Sequence, residues 1–192
     1  MSDSGTTANR LAVAPRNRYS RRYEAVRSDG IRTRKVVRHL SERVIVVICG
    51  PPGAGKTTVA TRVADRLDAR GESVRLVHSD EFSRRTYERL YARVAGGPTD
   101  AIRLVDGTFY RREWQARFRS LGDVRFVLAT ASLETCLERN RRREDAIDEQ
   151  GVHVVYREFE APEADLELDT DELSAAAATE RVLEALERWR SA

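Results

Sequence analysis

A lysine and a threonine close a glycine-containing turn, GPPGAGKT, which spans residues 50–57 and matches the pattern GxxxxGK(S/T). Glycines allow such a turn to curl so that its N–H groups point inward, and the start of a following helix adds partial positive charge. Phosphate oxygens fit such a concavity. The lysine of this pattern reaches the β- and γ-phosphates, and the hydroxyl of the next residue is placed to ligate Mg²⁺. The spacing therefore predicts a site for ATP and Mg²⁺, with Lys56 and Thr57 in these two roles.

The predicted nucleotide site, called the phosphate loop below, covers residues 50–58. Its members are Gly50, Pro51, Pro52, Gly53, Ala54, Gly55, Lys56, Thr57 and Thr58. The use of lysine supports this interpretation, because Lys35 and Lys56 are the only two lysines in a chain with 34 basic residues. An arginine is not equivalent at this position, since its planar fork cannot be enclosed as a compact ammonium can.

The elements around the loop predict how it is positioned. The apolar run 44–49 is typical of a strand buried on both faces, and residues 59–70 have a helical pattern. The same alternation continues along the chain. Further strands are predicted at 73–78, 101–106, 124–129 and 166–168, with helices at 83–94, at 113–120, after Ser132, and in a last segment that ends near Arg190. Residues 145–165 are predicted to form a connecting segment over the cleft.

This order predicts an α/β fold of the P-loop NTPase type. The expected architecture is a three-layer α/β/α sandwich with a five-stranded parallel sheet, similar to nucleoside kinases and carrying a short lid. Right-handed crossovers place the carboxyl end of every strand at one edge of the sheet. Residues that follow the strands are therefore expected to meet at the phosphate loop.

Two carboxylates follow predicted strands. Asp80 comes after the second strand, where it is expected to accept a proton from a substrate hydroxyl or to hold Mg²⁺ through water. Asp106 ends the third strand in the manner of a metal-orienting Walker B carboxylate. Each has a structural alternative: Asp80 as the N-cap of the helix predicted at 83–94, and Asp106 as a turn residue before Gly107. The sequence leaves open which of the two is the base and which is the metal ligand.

An arginine-rich segment, residues 138–145, ends the helix that follows Ser132. Arginines on a mobile flap would cover the phosphates, exclude water and neutralise charge on a moving phosphoryl group. We predict Arg139 as the main catalytic contact, with Arg142 or Arg143 behind it. The alternative is a solvated helix stabilised by Glu–Arg pairs.

The charge of the chain is distributed unevenly. Residues 1–43 contain 11 basic and four acidic residues, although the net charge of the whole chain is only +3. We divide the chain into a basic arm at 1–40, predicted to be disordered, and a kinase domain at 41–192. Arginines interleaved with Tyr19 and Tyr23 would suit a nucleic-acid backbone and stack on its bases, and a solvated tail is the alternative.

Composition excludes several classes of protein. No apolar run approaches the roughly 20 residues of a membrane span, and the polar, basic N-terminus lacks the apolar stretch of a secretory signal. We therefore predict a cytoplasmic protein without a membrane partner. The two cysteines, Cys49 and Cys136, are predicted as core thiols, and the three dispersed histidines form no metal-ligand cluster. A guanine-reading NKxD motif is absent, which disfavours a GTPase.

Four segments together resemble the adenylyl-sulfate kinase family of small P-loop kinases. They are GPPGAGKTT, LDARGESVRLVHSDEF, ASLETCLERN and the ending FEAPEADLELDTDELSAAAATERVLEAL. The resemblance covers about residues 44–190. It implies transfer of the γ-phosphate of ATP to the ribose 3′-hydroxyl of adenylyl sulfate. It also implies that Asp80 matches the aspartate after the second strand of that family, and Arg139 its lid arginine.

Three other segments depart from that family and are similar to the seryl-tRNA kinase and Kti12-like branch. They are HSDEFSR, DGTFYRR and NRRREDAI, which replace segments that contact the nucleotide substrate. The resemblance to this branch implies that tRNA could be a partner of the basic arm. Three functions therefore stay open: a small-molecule kinase, a kinase that acts on RNA, and a non-catalytic adaptor that binds ATP. The oligomeric state is not predicted.

Overall fold

The computed structural model describes residues 44–144 and 146–191. The predicted basic arm, residues 1–40, lies outside the described residues, and so does the interpretation of its tyrosines and arginines. Within the described part of the chain, a single five-stranded sheet is flanked by six α-helices. The strands are β1 (Ile45–Cys49), β2 (Val74–His78), β3 (Ile102–Asp106), β4 (Val124–Thr130) and β5 (Leu166–Asp169). The helices are α1 (Lys56–Ala69), α2 (Thr86–Ala95), α3 (Arg112–Arg119), α4 (Leu133–Arg141), α5 (Glu149–Glu158) and α6 (Ala175–Ser191).

The sheet is parallel throughout and has the strand order β2-β3-β1-β4-β5. The central strand β1 is buried along its whole length, as its unbroken apolar sequence predicts. Because all strands run in one direction, their carboxyl ends lie at the same edge, where the phosphate loop follows β1. The predicted fold class is confirmed.

Each face of the sheet has its own apolar core. Ile45, Val47 and Cys49 of β1 point to a face covered by α2 and α3, where Leu90 and Phe118 are fully buried. The alternate residues of β1 point to the opposite face. Helix α1 contacts α6 and the strands β2 and β3. Both cysteines are buried and free, and burial raises the pKa of Cys49 to about 12.

The prediction for residues 145–165 is wrong in part, because helix α5 occupies Glu149–Glu158. Its N-cap signal was present in the sequence: the Asp148 side chain accepts a hydrogen bond from the Gln150 N–H at 2.9 Å. Gly151 and the valines that follow it have low helix propensity and obscured the pattern. The helix packs on α4, with Val152 fully buried and the Tyr156 hydroxyl donating to the Ala131 carbonyl at 3.0 Å.

Among the described helices, none combines the length with the apolar composition that crossing a membrane requires.

Candidate functional site

The phosphate loop is held in a conformation that two of its glycines make possible. Gly50 and Gly53 have φ angles of 143° and 84°. A Cβ at Gly50 would lie 2.0 Å from the Ala129 carbonyl oxygen, and one at Gly53 would lie 2.3 Å from the Cys136 carbonyl oxygen. The loop therefore packs directly against the backbone of β4 and α4, at a distance that excludes any side chain.

Helix α1 begins at Lys56, three residues earlier than predicted, so the lysine and Thr57 lie in its first turn. The Lys56 side chain is 8% exposed, and its Nζ donates to the Pro51 carbonyl at 2.8 Å. Burial lowers the pKa of Lys56, and the nearby Asp106 carboxylate opposes this shift. The Lys56 ammonium therefore contacts the same loop with which it is predicted to bind phosphate.

Asp106 is the centre of a small polar cluster at the end of β3. Its Oδ2 accepts a hydrogen bond from Thr57 Oγ1 at 2.7 Å and lies 2.9 Å from His78 Nδ1. The hydrogen bond between His78 and Asp106 is the main cause of the raised pKa of His78. The other carboxylate oxygen, Oδ1, is buried and has no hydrogen-bond partner within the described structure.

This cluster fits a Mg²⁺ site. An orphaned carboxylate oxygen beside a threonine hydroxyl offers the hard oxygen ligands that Mg²⁺ takes, and nucleotide phosphates and water normally complete its shell. The described residues contain no group of three or more His, Cys, Asp or Glu side chains that would hold a metal by themselves. The Asp106 carboxylate and the Thr57 hydroxyl suit an ion whose other ligands are nucleotide phosphates and water.

Asp80 lies in a short 3₁₀ helix, Ser79–Glu81, directly after β2. Its side chain is exposed and accepts a hydrogen bond from Ser79 Oγ at 3.2 Å. The alternative role as a helix cap is wrong, since α2 begins at Thr86 and its N-cap residue is Arg85. Asp80 is therefore left free of a capping function and stands at the predicted edge of the sheet.

One cavity of about 120 Å³ joins these groups. It is lined by Pro52, Lys56, Thr57, Ser79, Asp80, Asp106, Gly107, Thr108, Asn140, Arg143 and Ile147. The carboxylates predicted from two separate strands thus face the same space as the predicted lysine and threonine. The functions of these residues stay predictions.

The arginines of the predicted lid are distributed over different partners. Arg142 pairs with Glu138 at 2.5 Å and Arg141 with Glu149 at 2.5 Å, as the Glu–Arg alternative expected. Arg139 donates to the Gly53 carbonyl at 3.4 Å and to the hydroxyl and carbonyl oxygens of Thr170, both at 2.8 Å. Arg139 thus connects the phosphate loop to Thr170, whereas Arg143 lines the cavity. The structure therefore places Arg143, and not Arg139, in the lining of the cavity, and the catalytic role predicted for Arg139 stays a prediction.

Asn140, whose role the sequence does not predict, fixes the segment between α4 and α5. Its side chain is 2% exposed, donates to the Ile147 carbonyl at 2.7 Å and accepts from the Ile147 N–H at 3.2 Å. These two hydrogen bonds hold Asn140 and Ile147 together in the lining of the cavity. An asparagine among arginines at the end of a helix gave no periodic signal that would have identified it.

A strained residue, Phe109, directly follows Gly107 and Thr108 in the lining of the cavity. Phe109 has a φ of 52°, a conformation that costs a bulky side chain energy. Its N–H donates to the Tyr87 hydroxyl at 2.7 Å and its carbonyl accepts from Gln115 Nε2 at 2.8 Å. Its ring is fully buried, with centroids 4.8 to 6.0 Å from three other aromatic rings. These contacts fix the strand end that carries Asp106, Gly107 and Thr108.

Comparison with known proteins gives a family match. A family model described as an AAA domain, AAA_33, matches residues 45–168. No curated protein matches the sequence significantly.

Several solved structures share the fold. The APS kinase of Mycobacterium tuberculosis in complex with AMPPNP and APS superimposes with a TM-score of 0.64 at 23% identity, over 76% of this chain and 98% of that chain. A gluconokinase from Sinorhizobium meliloti 1021 gives a TM-score of 0.63 at 15% identity, over 79% and 95% of the two chains. Kti12 of Chaetomium thermophilum in complex with ADP-AlF3 gives 0.61 at 16% identity, over 73% and 98%. At these identities the likeness establishes a P-loop kinase fold and leaves the substrate open.

Proposed function

Because the chain belongs to the AAA_33 family of AAA domains, we propose that it is a kinase that transfers the γ-phosphate of ATP to a hydroxyl group. The observation that carries this proposal is the cavity in which Lys56, Thr57, Asp106 and Asp80 meet. Phosphoryl transfer consists mainly of positioning reactants and neutralising charge, and these four residues supply both.

The phosphate loop binds the triphosphate of ATP in this proposal. Backbone N–H groups of residues 53–58 surround the phosphates, and Lys56 exchanges its bond with the Pro51 carbonyl for the β- and γ-phosphate oxygens. Thr57 and Asp106 would hold Mg²⁺, because the threonine hydroxyl and the buried Oδ1 of Asp106, which has no hydrogen-bond partner among the described residues, are the hard oxygen ligands that this ion takes. When bound, this ion neutralises phosphate charge during the transfer.

Asp80 is the proposed base. Its exposed carboxylate lines the cavity next to the phosphate loop and accepts the proton of the acceptor hydroxyl as that oxygen attacks the γ-phosphorus. The bond between the γ-phosphorus and the oxygen that bridges it to the β-phosphate breaks, and ADP leaves. Arg143 reaches the same space and stabilises negative charge on the phosphoryl group. Arg139 contributes by holding Gly53 in place, which makes it a positioning residue rather than a phosphate contact.

Adenylyl sulfate is the first candidate acceptor. The sequence resemblance to adenylyl-sulfate kinases supports it, and so does the likeness to the APS kinase fold. An RNA acceptor is the second candidate, supported by the segments similar to the Kti12-like branch, by the likeness to the Kti12 fold and by the basic arm. A cytoplasmic location, where ATP is plentiful, belongs to the same proposal.

A turnover assay with labelled ATP and a panel of hydroxyl acceptors tests the proposal. The panel contains adenylyl sulfate, gluconate, shikimate and tRNA, and each is assayed with the wild type and with Asp80→Asn. We expect phosphate transfer to one acceptor, and a loss of about 10²- to 10⁴-fold in kcat for Asp80→Asn with ATP affinity retained. Asp100→Asn, an exposed carboxylate in a turn, is the matched control and keeps full activity.

Two results would overturn the proposal in different ways. Unchanged turnover in Asp80→Asn would refute the assignment of the base. ATP binding without transfer to any acceptor on the panel would favour the third possibility, a non-catalytic nucleotide-binding adaptor. A Lys56→Ala variant tests the binding step, since we expect it to weaken ATP binding about 10- to 100-fold.

A further inference from the structure

A second concave surface, which the proposed transfer does not use, lies beside the edge strand β2. This surface, called the arginine groove below, is lined by Arg75, Phe82, Arg89, Ala92, Arg93 and Gly96 and has a volume of about 490 Å³. It is wide and open to solvent, in contrast to the smaller cavity at the phosphate loop.

The arginine groove is built by one face of α2 and its C-terminal end. Arg89, Ala92, Arg93 and Gly96 are separated by three or four residues, so they lie on the same side of the helix. Ala92 and Gly96 are small and leave the base of the groove open, and the side chains of Arg89 and Arg93 extend from it. Arg75 of β2 supplies a third guanidinium to the same groove.

The positive charge of the groove is not neutralised by the described residues. Among the described residues that line the groove, none is acidic, and no described carboxylate lies within 4.0 Å of Arg75, Arg89 or Arg93 as an ion pair. By contrast, the neighbouring Arg85 contacts Glu88 at 3.9 Å. Like charges four residues apart destabilise a helix, and a bound anion would relieve this repulsion.

One arginine of the groove is oriented in advance. The Arg93 guanidinium lies 6.0 Å from the centre of the Phe82 ring, which itself packs against the core. This cation–π contact restricts the arginine and so reduces the entropy that it would lose on binding. Phe82 is only two residues beyond Asp80, so the groove begins close to the proposed acceptor site.

We propose that the arginine groove binds the phosphodiester backbone of a single-stranded nucleic acid. Guanidinium forks match phosphate oxygens, and their planes, like the partly buried Phe82 ring, offer surfaces on which bases stack. An open groove of this size suits a strand that passes through it. The basic arm is a poor alternative occupant, because its residues 1–40 carry 10 basic and three acidic side chains, and the positively charged groove would repel them. This inference goes beyond the proposed transfer, and it favours RNA over adenylyl sulfate as the acceptor.

Binding of a labelled 15-nucleotide single-stranded RNA to the full chain, followed by fluorescence anisotropy over a range of salt concentrations, tests the proposal. The groove variant is the triple substitution Arg75→Gln, Arg89→Gln and Arg93→Gln. The control variant is Arg157→Gln, Arg181→Gln and Arg188→Gln, which removes the same charge from exposed positions on α5 and α6. ATP binding is measured in parallel by calorimetry.

We expect the groove variant to bind the RNA at least about tenfold more weakly at moderate salt. The slope of log K against log salt should fall by about 2, as the loss of three phosphate contacts to a single strand predicts. The control variant should change both values much less, and both variants should bind ATP like the wild type.

Three results would overturn the proposal: no effect of the groove substitutions, equal effects of the groove and control substitutions, or equal competition by inorganic phosphate or by a poly-glutamate peptide. The measurement is independent of the phosphoryl transfer, since RNA binding is read without ATP. A failure of the kinase proposal would appear as lost ATP binding or absent turnover, and a failure of the groove proposal as unchanged RNA affinity.

Discussion

At the scale of single residues, Asp106 explains why the site is arranged as it is. A buried carboxylate oxygen without a hydrogen-bond partner costs free energy in the absence of a ligand, about 1–3 kcal/mol for an unsatisfied polar group. Thr57 and His78 satisfy only the other oxygen. Such a cost is retained where a ligand later binds to the unpaired oxygen, and a metal bound with ATP is the ligand that this oxygen and the Thr57 hydroxyl suit.

Asp106→Asn is therefore expected to separate stability from function. An amide keeps the shape of the side chain and removes the buried charge, so the free energy of unfolding without ligand should stay within about 1 kcal/mol of the wild type. The tightening of ATP binding that Mg²⁺ produces should fall at least about tenfold. Calorimetric titration with ATP, with and without Mg²⁺, measures this, and an unchanged Mg²⁺ effect would remove Asp106 from the proposed metal site.

A second prediction at this scale concerns the hydroxyl that holds the strained Phe109. Tyr87→Phe removes the acceptor of the Phe109 N–H and leaves the ring contacts in place. A buried amide without a partner should lower the free energy of unfolding by about 1–3 kcal/mol. Burial raises the pKa of Tyr87 to about 12, so the hydroxyl keeps its proton over the working range of the assay.

Tyr91→Phe is the matched control for that substitution. Tyr91 also contacts a core phenylalanine edge-on, with 5.6 Å between ring centres, but no hydrogen bond of its hydroxyl is present among the described residues. Urea denaturation of the two variants should show a loss for Tyr87→Phe and a change within about 0.5 kcal/mol for Tyr91→Phe. Equal losses would mean that the hydroxyl does not support Phe109.

At the scale of the elements, the phosphate loop depends on contact with α4. Gly53→Ala would place a Cβ 2.3 Å from the Cys136 carbonyl oxygen, so the loop or the helix must move. We expect ATP affinity to fall at least tenfold and stability to fall by more than the 1–2 kcal/mol that a left-handed alanine costs by itself. Gly71→Ala is the control, with a φ of 77° and no atom within 4 Å of its Cβ. If both variants bind ATP equally well, the close approach of loop and helix does not shape the site.

The elements also show what the sequence predicts and what it does not. Strand β1 and the loop after it were predictable, because an unbroken β-branched run followed by spaced glycines is compatible with few other local structures. Helix α5 was not, since its glycine and valines weaken the local helix signal and its stability comes from packing on α4. The partners of the lid arginines were also hidden, because sequence spacing does not show that Arg139 reaches Thr170 across 31 residues.

At the scale of the whole molecule, the described residues 44–191, except 145, contain every element of the sheet and both helical layers. The phosphate loop, Asp80, Asp106 and Arg143 all belong to this part of the chain. A domain with its own core on each face of the sheet is expected to fold by itself. The proposed division at residue 40 therefore predicts that nucleotide binding and RNA binding respond differently to loss of the arm.

Deletion of residues 1–40 tests this division. The truncated chain should retain the stabilisation that ATP and Mg²⁺ give the full chain, about 2.7 kcal/mol at a ligand concentration of 100 Kd, because every residue of the proposed nucleotide site remains. Its affinity for tRNA should fall and become less dependent on salt, since the deletion removes a large part of the basic charge. Thermal unfolding with and without ATP measures the first effect, and anisotropy over a salt series measures the second. Loss of the ATP effect would place part of the nucleotide site in the arm, whereas unchanged tRNA binding would leave the arginine groove as the main nucleic-acid contact.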